Sequence, residues 1–334
     1  MTYGAPTKAV ILARGLGSRM RKEADGVALS AEQAKAADSG VKAMISVGRP
    51  FLDHVISALA DAGFTDVCLV IGPEHDMIRD YYDALPKTRV NVAYAVQEEP
   101  LGTANAVLAA LADHDSVLEL RAAFGAGIIT ALIRIEGRAF GCIANNPRHL
   151  GGAIDAAAAD KAARFMQLCD AHGLPIVSLC DTPGFMVGPE AEKTATVRHV
   201  SRLFVTAGAL RVPFFTVVLR KGYGLGAQAM AGGSFSAPFF TAAWPSGEFG
   251  AMGIEGSIRL GFRKELEAVA DPAEREVLFA RMVEAAYQRG RALNMASHLE
   301  IDAVIDPADT RHWLLRGLVE IGRASCRERV SFLV

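Results

Sequence analysis

FFTVVLRKGYGLGAQAM, residues 214–230, decides the reading of this chain. Phe214–Leu219 has the length and apolar, β-branched composition of a buried strand. The strand delivers the chain to Gly222, Gly224 and Gly226, after which a helix starts. The first N–H groups of a helix have no intrahelical acceptor, so those of Leu225 and Gly226 could meet an incoming oxyanion. Such donors act through the backbone, which leaves the side chain at 225 free to vary. A second loop of this kind is DTPGFMVG at 181–188. There Pro183 sets one torsion and Gly184 lets the following residues lie against a flat ligand or a neighbouring chain. On these two segments alone, ordinary glycine turns in a packed α/β domain remain an equal alternative.

Working outward, strands are expected at Gly127–Glu136, Ala139–Ala144 and Ile176–Cys180. Helices are expected at Ala156–Ala171 and Thr194–Gly208, with one long amphipathic tract over Pro272–Ser297. Before about residue 114 the pattern differs. Lys8–Leu12, Val67–Ile71 and Val90–Gln97 read as strands alternating with helices at Leu52–Ala62 and Thr103–Ala112, which is the grammar of a parallel sheet. Residues 22–41 are polar and alanine-rich, in keeping with a surface insertion or helix. In ARGLGSRM, 13–20, Gly15 and Gly17 allow backbone N–H groups to approach phosphate, Ser18 and Arg19 add donors, and Lys42 could add a point charge. That turn lacks the GK[ST] ending of an NTPase loop, and a purely structural turn stays open beside it.

Size and composition bound the rest. The 334 residues suffice for two domains with cores. With 35 Lys+Arg against 37 Asp+Glu, no global field favours nucleic acid or an anionic membrane. The eight histidines show no metal-ligand spacing and the five cysteines form no CxxC pair. Free thiols, the absence of a signal-peptide pattern and the absence of a long apolar run lead to a cytoplasmic expectation.

Four dispersed segments taken together are more specific. ANNPRHLGGAID (144–155), DKAARFMQLCDAHGLPIVSLCDTPGF (160–185), RKGYGLGA (220–227) and AWPSGEFGAMGIEGSI (243–258) resemble the C-terminal half of the carboxyltransferase subunit of biotin-dependent acyl-CoA carboxylases, over about 116–318. The resemblance implies a crotonase-like α/β fold, a spiral of ββα turns. It implies that the Leu225 and Gly226 amides stabilise the ureido oxygen of biotin as CO₂ leaves it. Biotin itself then takes the α-proton of the acyl-CoA, so no side-chain base is required. Asp181, Thr182, Pro183, Gly184 and Phe185, with Ala144–Gly152, would line the substrate channel, while Arg220, Tyr223 and Gly224 would shape the biotin pocket. His149 and His199 are expected as wall or packing residues, and Glu248 and Glu255 as structural ties. Implied partners are acyl-CoA, a biotin carboxyl carrier that presents carboxybiotin, a biotin carboxylase and further copies of the chain. The family's first half, which binds acyl-CoA, has no counterpart here, so an apolar face should be left exposed.

Residues 7–112 resemble instead the front of a sugar-1-phosphate nucleotidyltransferase, a partial Rossmann-like three-layer α/β/α fragment. The likeness rests on AVILARGLGSRM (9–20), KAMISVGRPFLDHVISAL (42–59) and YAVQEEPLGTANAVLAA (94–110). It implies that Gly15, Gly17 and Ser18 hold a nucleoside triphosphate, that Arg19 and Lys42 neutralise charge, and that Gln97 and Gly102 lie where the base is read. Mg²⁺ would be required only if that site were complete. The acidic motif expected at the next strand end is replaced by LADHDSVLEL (111–120), with Asp113 and Asp115 as the only candidates. The ending EIGRASCRERV (320–330) resembles a translated sequencing adapter. The organisation expected is therefore 1–113, 114–318 and an artefactual or disordered tail at 319–334. Three functions follow: a carboxyltransferase half-site, a nucleotidyltransferase, or an inactive chimeric product.

Overall fold

The computed structural model describes residues 7–13, 44, 46–85, 89–96, 107–108 and 110–328, and the structural statements below concern these. They fall into two compact units. One is Met1–Leu111 with Asp306–Ala308, and the other is Ala112–Ile305 with Asp309–Val334.

The first unit contains β1 (Lys8–Leu12), a short antiparallel pair β2 (Ser46–Val47) and β3 (Arg49–Pro50), β4 (Asp66–Ile71) and β5 (Asn91–Val96). β1, β4 and β5 form a parallel sheet with β4 in the middle. Its described helices include α1 (Phe51–Asp61) and α2 (Asp76–Ala84), the second absent from the sequence reading, while part of the helix expected at Thr103–Ala112 lies outside the described residues. Val67, Leu69 and Ile71 pack with Leu52, Ile78 and Tyr82. The Asp53 carboxylate ties α1 to α2 by accepting from the hydroxyls of Tyr81 at 2.6 Å and Tyr82 at 2.7 Å.

The second unit is built on an eight-stranded sheet. Its strands are β6 (Leu118–Glu119), β7 (Ile128–Ile135), β8 (Arg138–Asn145), β9 (Ile176–Thr182), β10 (Phe214–Tyr223), β11 (Phe240–Ala243), β12 (Glu248–Gly250) and β13 (Ala303–Val304). The order is β13-β11-β10-β9-β8-β7-β6, with β12 pairing the far end of β10. β6–β7 and β7–β8 are antiparallel, and every pairing from β8 through β13 is parallel. A hairpin followed by a helix and a return parallel to the hairpin's second strand is the ββα turn expected from the sequence.

Helix α3 (Ala156–Ala171) makes the first return. It starts at Asp155, whose carboxylate accepts from the Ala158 N–H at 2.8 Å, a standard N-cap. Its small residues Ala158, Ala159, Ala162 and Ala163 bring it close to the sheet, where it packs with Ile128, Ile143 and Ile176. Gly141 on β8 completes the fit, since a Cβ there would overlap the Cys169 sulfur. The second return uses α4 (Pro189–Glu192) and α5 (Thr196–Gly208). After β10 come α6 (Gly224–Met230), α7 (Ile254–Gly261), α8 (Arg263–Glu267), α9 (Pro272–Arg289), α10 (Ala292–Ser297) and α11 (Thr310–Glu328).

Two expectations differ from this description. Pro272–Ser297 is two helices, because Gly290 ends α9 where its Cβ would overlap the Phe249 carbonyl oxygen. The last helix runs past position 318 as far as Glu328.

Asp113 is part of this framework. Its carboxylate accepts from the Gly137 N–H at 2.7 Å, the Glu136 N–H at 2.9 Å and Arg311 Nη2 at 2.7 Å, fastening the β7–β8 turn and the start of α11. These donors, that of Gly137 first, hold its pKa at about 2 against an ordinary 3.8. Asp113→Ala should cost about 0.5–1.5 kcal/mol in denaturant melts, the net worth of a hydrogen bond whose freed donors water can reach. A carboxyl with a lowered folded pKa stabilises fully above its unfolded value and loses that contribution as pH falls through the folded one. The gap between the wild type and Asp113→Ala should therefore be constant above pH 3.8 and close as pH falls through about 2.

Candidate functional site

The glycine-rich junction and the DTPGF loop, 40 positions apart in sequence, are packed on each other. β9 ends at Asp181–Thr182 and β10 at Tyr223, in adjacent parallel strands. An ideal Cβ on Gly226 would lie 2.6 Å from the Gly184 carbonyl carbon and 2.7 Å from its Cα. Only a glycine at 226 permits this approach. Gly224 has φ +61°, and its Cβ would lie 2.8 Å from the Ala251 oxygen. Gly224 and Gly226 are thus required by backbone-on-backbone contact, and Gly224 by its turn geometry as well.

The first turn of α6 contains the two expected donors. Leu225 is 62% exposed and Gly226 is buried. As the second and third residues of the helix, they have no helical carbonyl four positions back to bond.

The DTPGF loop is held from several sides. Thr182 is fully buried and its hydroxyl donates to the Gly152 carbonyl at 2.8 Å, while the Gly184 N–H donates to that hydroxyl at 3.1 Å. Gly184 has φ +121°, a conformation that L side chains rarely adopt. Its carbonyl accepts from the Ile154 N–H at 3.0 Å. Pro183 stands between these anchors. Phe185 meets Phe204 of α5 edge-on, with centroids 6.2 Å apart.

Charged and hydroxyl groups around the junction are mostly engaged. Asp181 is fully buried and accepts from Arg220 Nε at 3.3 Å and Nη2 at 3.0 Å. Lys221 Nζ donates to the Gly151 carbonyl at 2.5 Å and lies 4.0 Å from Asp181. Burial pushes the Lys221 ammonium pKa down, against the pull of Asp181. The Tyr223 hydroxyl donates to Glu248 at 2.9 Å, and burial, then that bond, pushes its pKa up. Glu255 accepts from the Tyr287 hydroxyl at 2.8 Å. His149 is paired with Asp155 at 3.1 Å and His199 with Asp160 at 2.7 Å.

The structure thus brings together Asp181, Thr182, Pro183, Gly184, Phe185, Arg220, Tyr223, Gly224, Leu225 and Gly226. Besides Gly184 and Gly226, the residues Asp181, Thr182 and Tyr223 are buried, so these side chains face protein rather than solvent. Asn145, expected within Ala144–Gly152 on the channel wall, is fully buried, and its Oδ1 accepts from the Asp181 N–H at 3.0 Å. Sequence reasoning missed Lys221, which carried a usable signal, a cation next to a buried strand. Gly15, Gly17, Ser18, Arg19, Lys42, Gln97 and Gly102 lie outside the described residues. Among the described residues no group of three His, Cys, Asp or Glu could hold a metal ion, and no helix is long and apolar enough to cross a membrane.

Comparison with known proteins agrees with this geometry. The family model of the carboxyl transferase domain matches residues 93–320, well over half of the chain, and the chain belongs to that family. A nucleotidyl transferase model matches residues 8–120, so the two matches overlap over 93–120. The methylmalonyl-CoA carboxyltransferase 12S subunit of Propionibacterium freudenreichii subsp. shermanii is 34% identical over 249 residues, which cover 73% of this chain and 46% of that subunit. The carboxyltransferase subunit of propionyl-CoA carboxylase from Haloferax mediterranei is 34% identical, over 64% of this chain and 40% of its own.

Among solved structures, transcarboxylase 12S with methylmalonyl-CoA and methylmalonic acid bound superposes with a TM-score of 0.60 at 35% identity, covering 65% of this chain and 41% of that one. A single-chain, multi-domain long-chain acyl-CoA carboxylase gives 0.58 at 38% identity, covering 81% of this chain and 34% of that one. The fold is therefore the crotonase-like α/β fold of carboxyltransferases, and the chain spans about half the length, or less, of the curated relatives it matches.

Gly226→Ala should be strongly disruptive, because its methyl group would sit on the Gly184 backbone rather than on a side chain that can swing away. Overpacking of this kind costs about 1–3 kcal/mol. The loss should appear in thermal melts, whereas Leu225→Ala at the exposed neighbouring position should leave the melt within about 0.5 kcal/mol of wild type.

Proposed function

We propose that residues 114–318 form the biotin-facing half of an acyl-CoA carboxyltransferase, of the acetyl- or propionyl-CoA type. One observation carries this reading: two backbone donors, at Leu225 and Gly226, stand at a junction locked by the DTPGF loop. A ureido oxygen is a neutral acceptor that gains negative charge as its ring gives up a carboxyl group. Fixed neutral donors suit it, because they stabilise the developing charge without a proton changing hands. The exposed start of α6 and the absence of side chains at 224 and 226 fit a flat ring of this kind. Carboxybiotin, presented by a carrier partner, supplies the activated carboxyl group.

In this proposal the chain's own residues bind and orient. The Leu225 and Gly226 amides hold the oxygen, and Gly184 and Phe185 form the wall behind them. His149 and His199 orient helices through Asp155 and Asp160, and neither serves as a base. The acyl-CoA α-carbon receives the carboxyl group, and its binding surface comes from a first half supplied by another polypeptide. A biotin carboxylase, further copies of this chain and a cytoplasmic setting belong to the same proposal. The buried free thiols Cys142, Cys169 and Cys180 suit such a reducing compartment.

The test is carboxylation of free biotin at the expense of malonyl- or methylmalonyl-CoA, with and without a separately supplied first half. Turnover is expected only with both. Position 225 is the cleaner site for mutation, since any Cβ at 226 meets Gly184. Leu225→Pro removes one donor in the first helical turn, where proline is tolerated. It should lower kcat by roughly 100-fold, as loss of an oxyanion donor does. Leu225→Ala keeps the donor and should lose far less. Equal losses from the two, in folded protein, would assign the chemistry to the leucine side chain and remove the basis of the proposal.

A further inference from the structure

Strand β10 is irregular where it approaches the site. It pairs with β9 in step as far as Val218–Cys180, and again at Gly222–Thr182. Three residues of β10, Leu219, Arg220 and Lys221, therefore stand against one of β9, Asp181, which makes a bulge. Bulges leave backbone groups without ladder partners and redirect the strand. Here the Lys221 N–H donates to Asp181 Oδ1 at 3.2 Å, and the Arg220 guanidinium closes over both carboxylate oxygens. Asp181 is itself fixed by its N–H bond to Asn145 Oδ1. Beyond the bulge β10 leaves β11 and pairs with β12, Lys221–Tyr223 against Glu248–Gly250, and Tyr223 leads straight into α6. On its other side, three residues from Asp181, Gly184 packs under Gly226.

We infer that Asp181 is a positioning residue for the Leu225 and Gly226 amides, its carboxylate closing the β10 bulge and so setting where α6 begins. It touches neither ring nor acyl group and acts through the backbone of Lys221 and the guanidinium of Arg220. Its kinetic consequence rests on the carboxyl-transfer reading above. Its structural consequence does not.

Amide hydrogen exchange on the full chain tests it directly, read in a peptide spanning 219–230 and in α3 as reference. Asp181→Ala should speed exchange in 219–230 by about tenfold or more, with α3 still protected, because the Lys221 N–H loses the carboxylate that accepts from it and Arg220 loses its anchor. Asp181→Asn retains one acceptor oxygen and should give a smaller rise in the same peptide. Unchanged exchange at 219–230 in folded Asp181→Ala overturns the inference. If that variant fails to fold, Asp181→Asn decides by the same criterion.

With the first half supplied, Asp181→Asn should lower kcat for biotin carboxylation much more than it changes KM. A variant with fast exchange at 219–230 and wild-type kcat also overturns the inference. Raised exchange combined with no turnover by the wild-type chain leaves the structural role of Asp181 standing and removes the carboxyl-transfer reading instead.

Discussion

A buried backbone N–H must have an acceptor, and the whole site follows from how that demand is met in β10. The β9–β10 ladder is interrupted after Val218, and within the gap the Lys221 N–H turns to the Asp181 carboxylate while the Leu219 carbonyl accepts from the Ser246 hydroxyl. One carboxylate with no exposure meets the demand, and Arg220 offsets its charge. Buried ion pairs contribute little net stability when weighed against well-packed apolar substitutes. What this pair does supply is direction, because its bonds fix which backbone atoms of β10 face β9. Everything after Lys221, including the pairing with β12 and the start of α6, inherits that geometry.

Contacts without side chains form the second layer. Gly226 on Gly184, Gly224 on the Ala251 oxygen and Gly152 on the Asp181 oxygen are all places where a Cβ would fall within 3 Å of backbone. Backbone-to-backbone packing is stiff, since no rotamer can relax it. Stiffness is what fixed donors need, because their advantage over water lies in being in place before charge develops. The same logic explains why the nearby titratable groups are tied to partners. Tyr223, Glu248, His149 and His199 all spend their polar atoms on the framework. Such a site places donors well and has little means of moving protons, which suits the carboxyl transfer proposed above.

How much of this was legible in the sequence depended on distance along the chain. The main strands and α3 could be read from apolar runs and helical spacing, because those signals are local. The two glycine loops could be read as special for the same reason. That they touch could not be read, since nothing in DTPGF names residue 226. Asp181 was expected in the channel because the resemblance places the DTPGF loop there. Its burial depends on a bulge 40 residues later, and bulges leave no periodic trace. Short elements were missed where glycine or aromatic residues mask propensity, as in β12 (Glu248–Gly250) and α7 (Ile254–Gly261), which has Gly253 before it and Gly256 inside. The Pro272–Ser297 tract was read as one helix because amphipathic spacing continues across Gly290, where only the nearness of Phe249 reveals a break.

The placement of apolar surface bears on what completes the site. Val187, Val197 and Val205 are 80%, 67% and 73% exposed, and Leu225 at the donor pair is 62% exposed. Val197 and Val205 lie two turns apart on α5, the helix that also packs on Phe185 behind the donors. Exposed apolar residues carried by elements that build a site differ from scattered ones, which need no explanation. In the proposed reading they border the surface through which a separately supplied first half would complete the site. Backbone donors alone can hold an oxygen, but they cannot bring an acyl-CoA α-carbon to it or keep water away. A site built this way should tolerate many side-chain changes at 225 and still depend wholly on the surface that covers it.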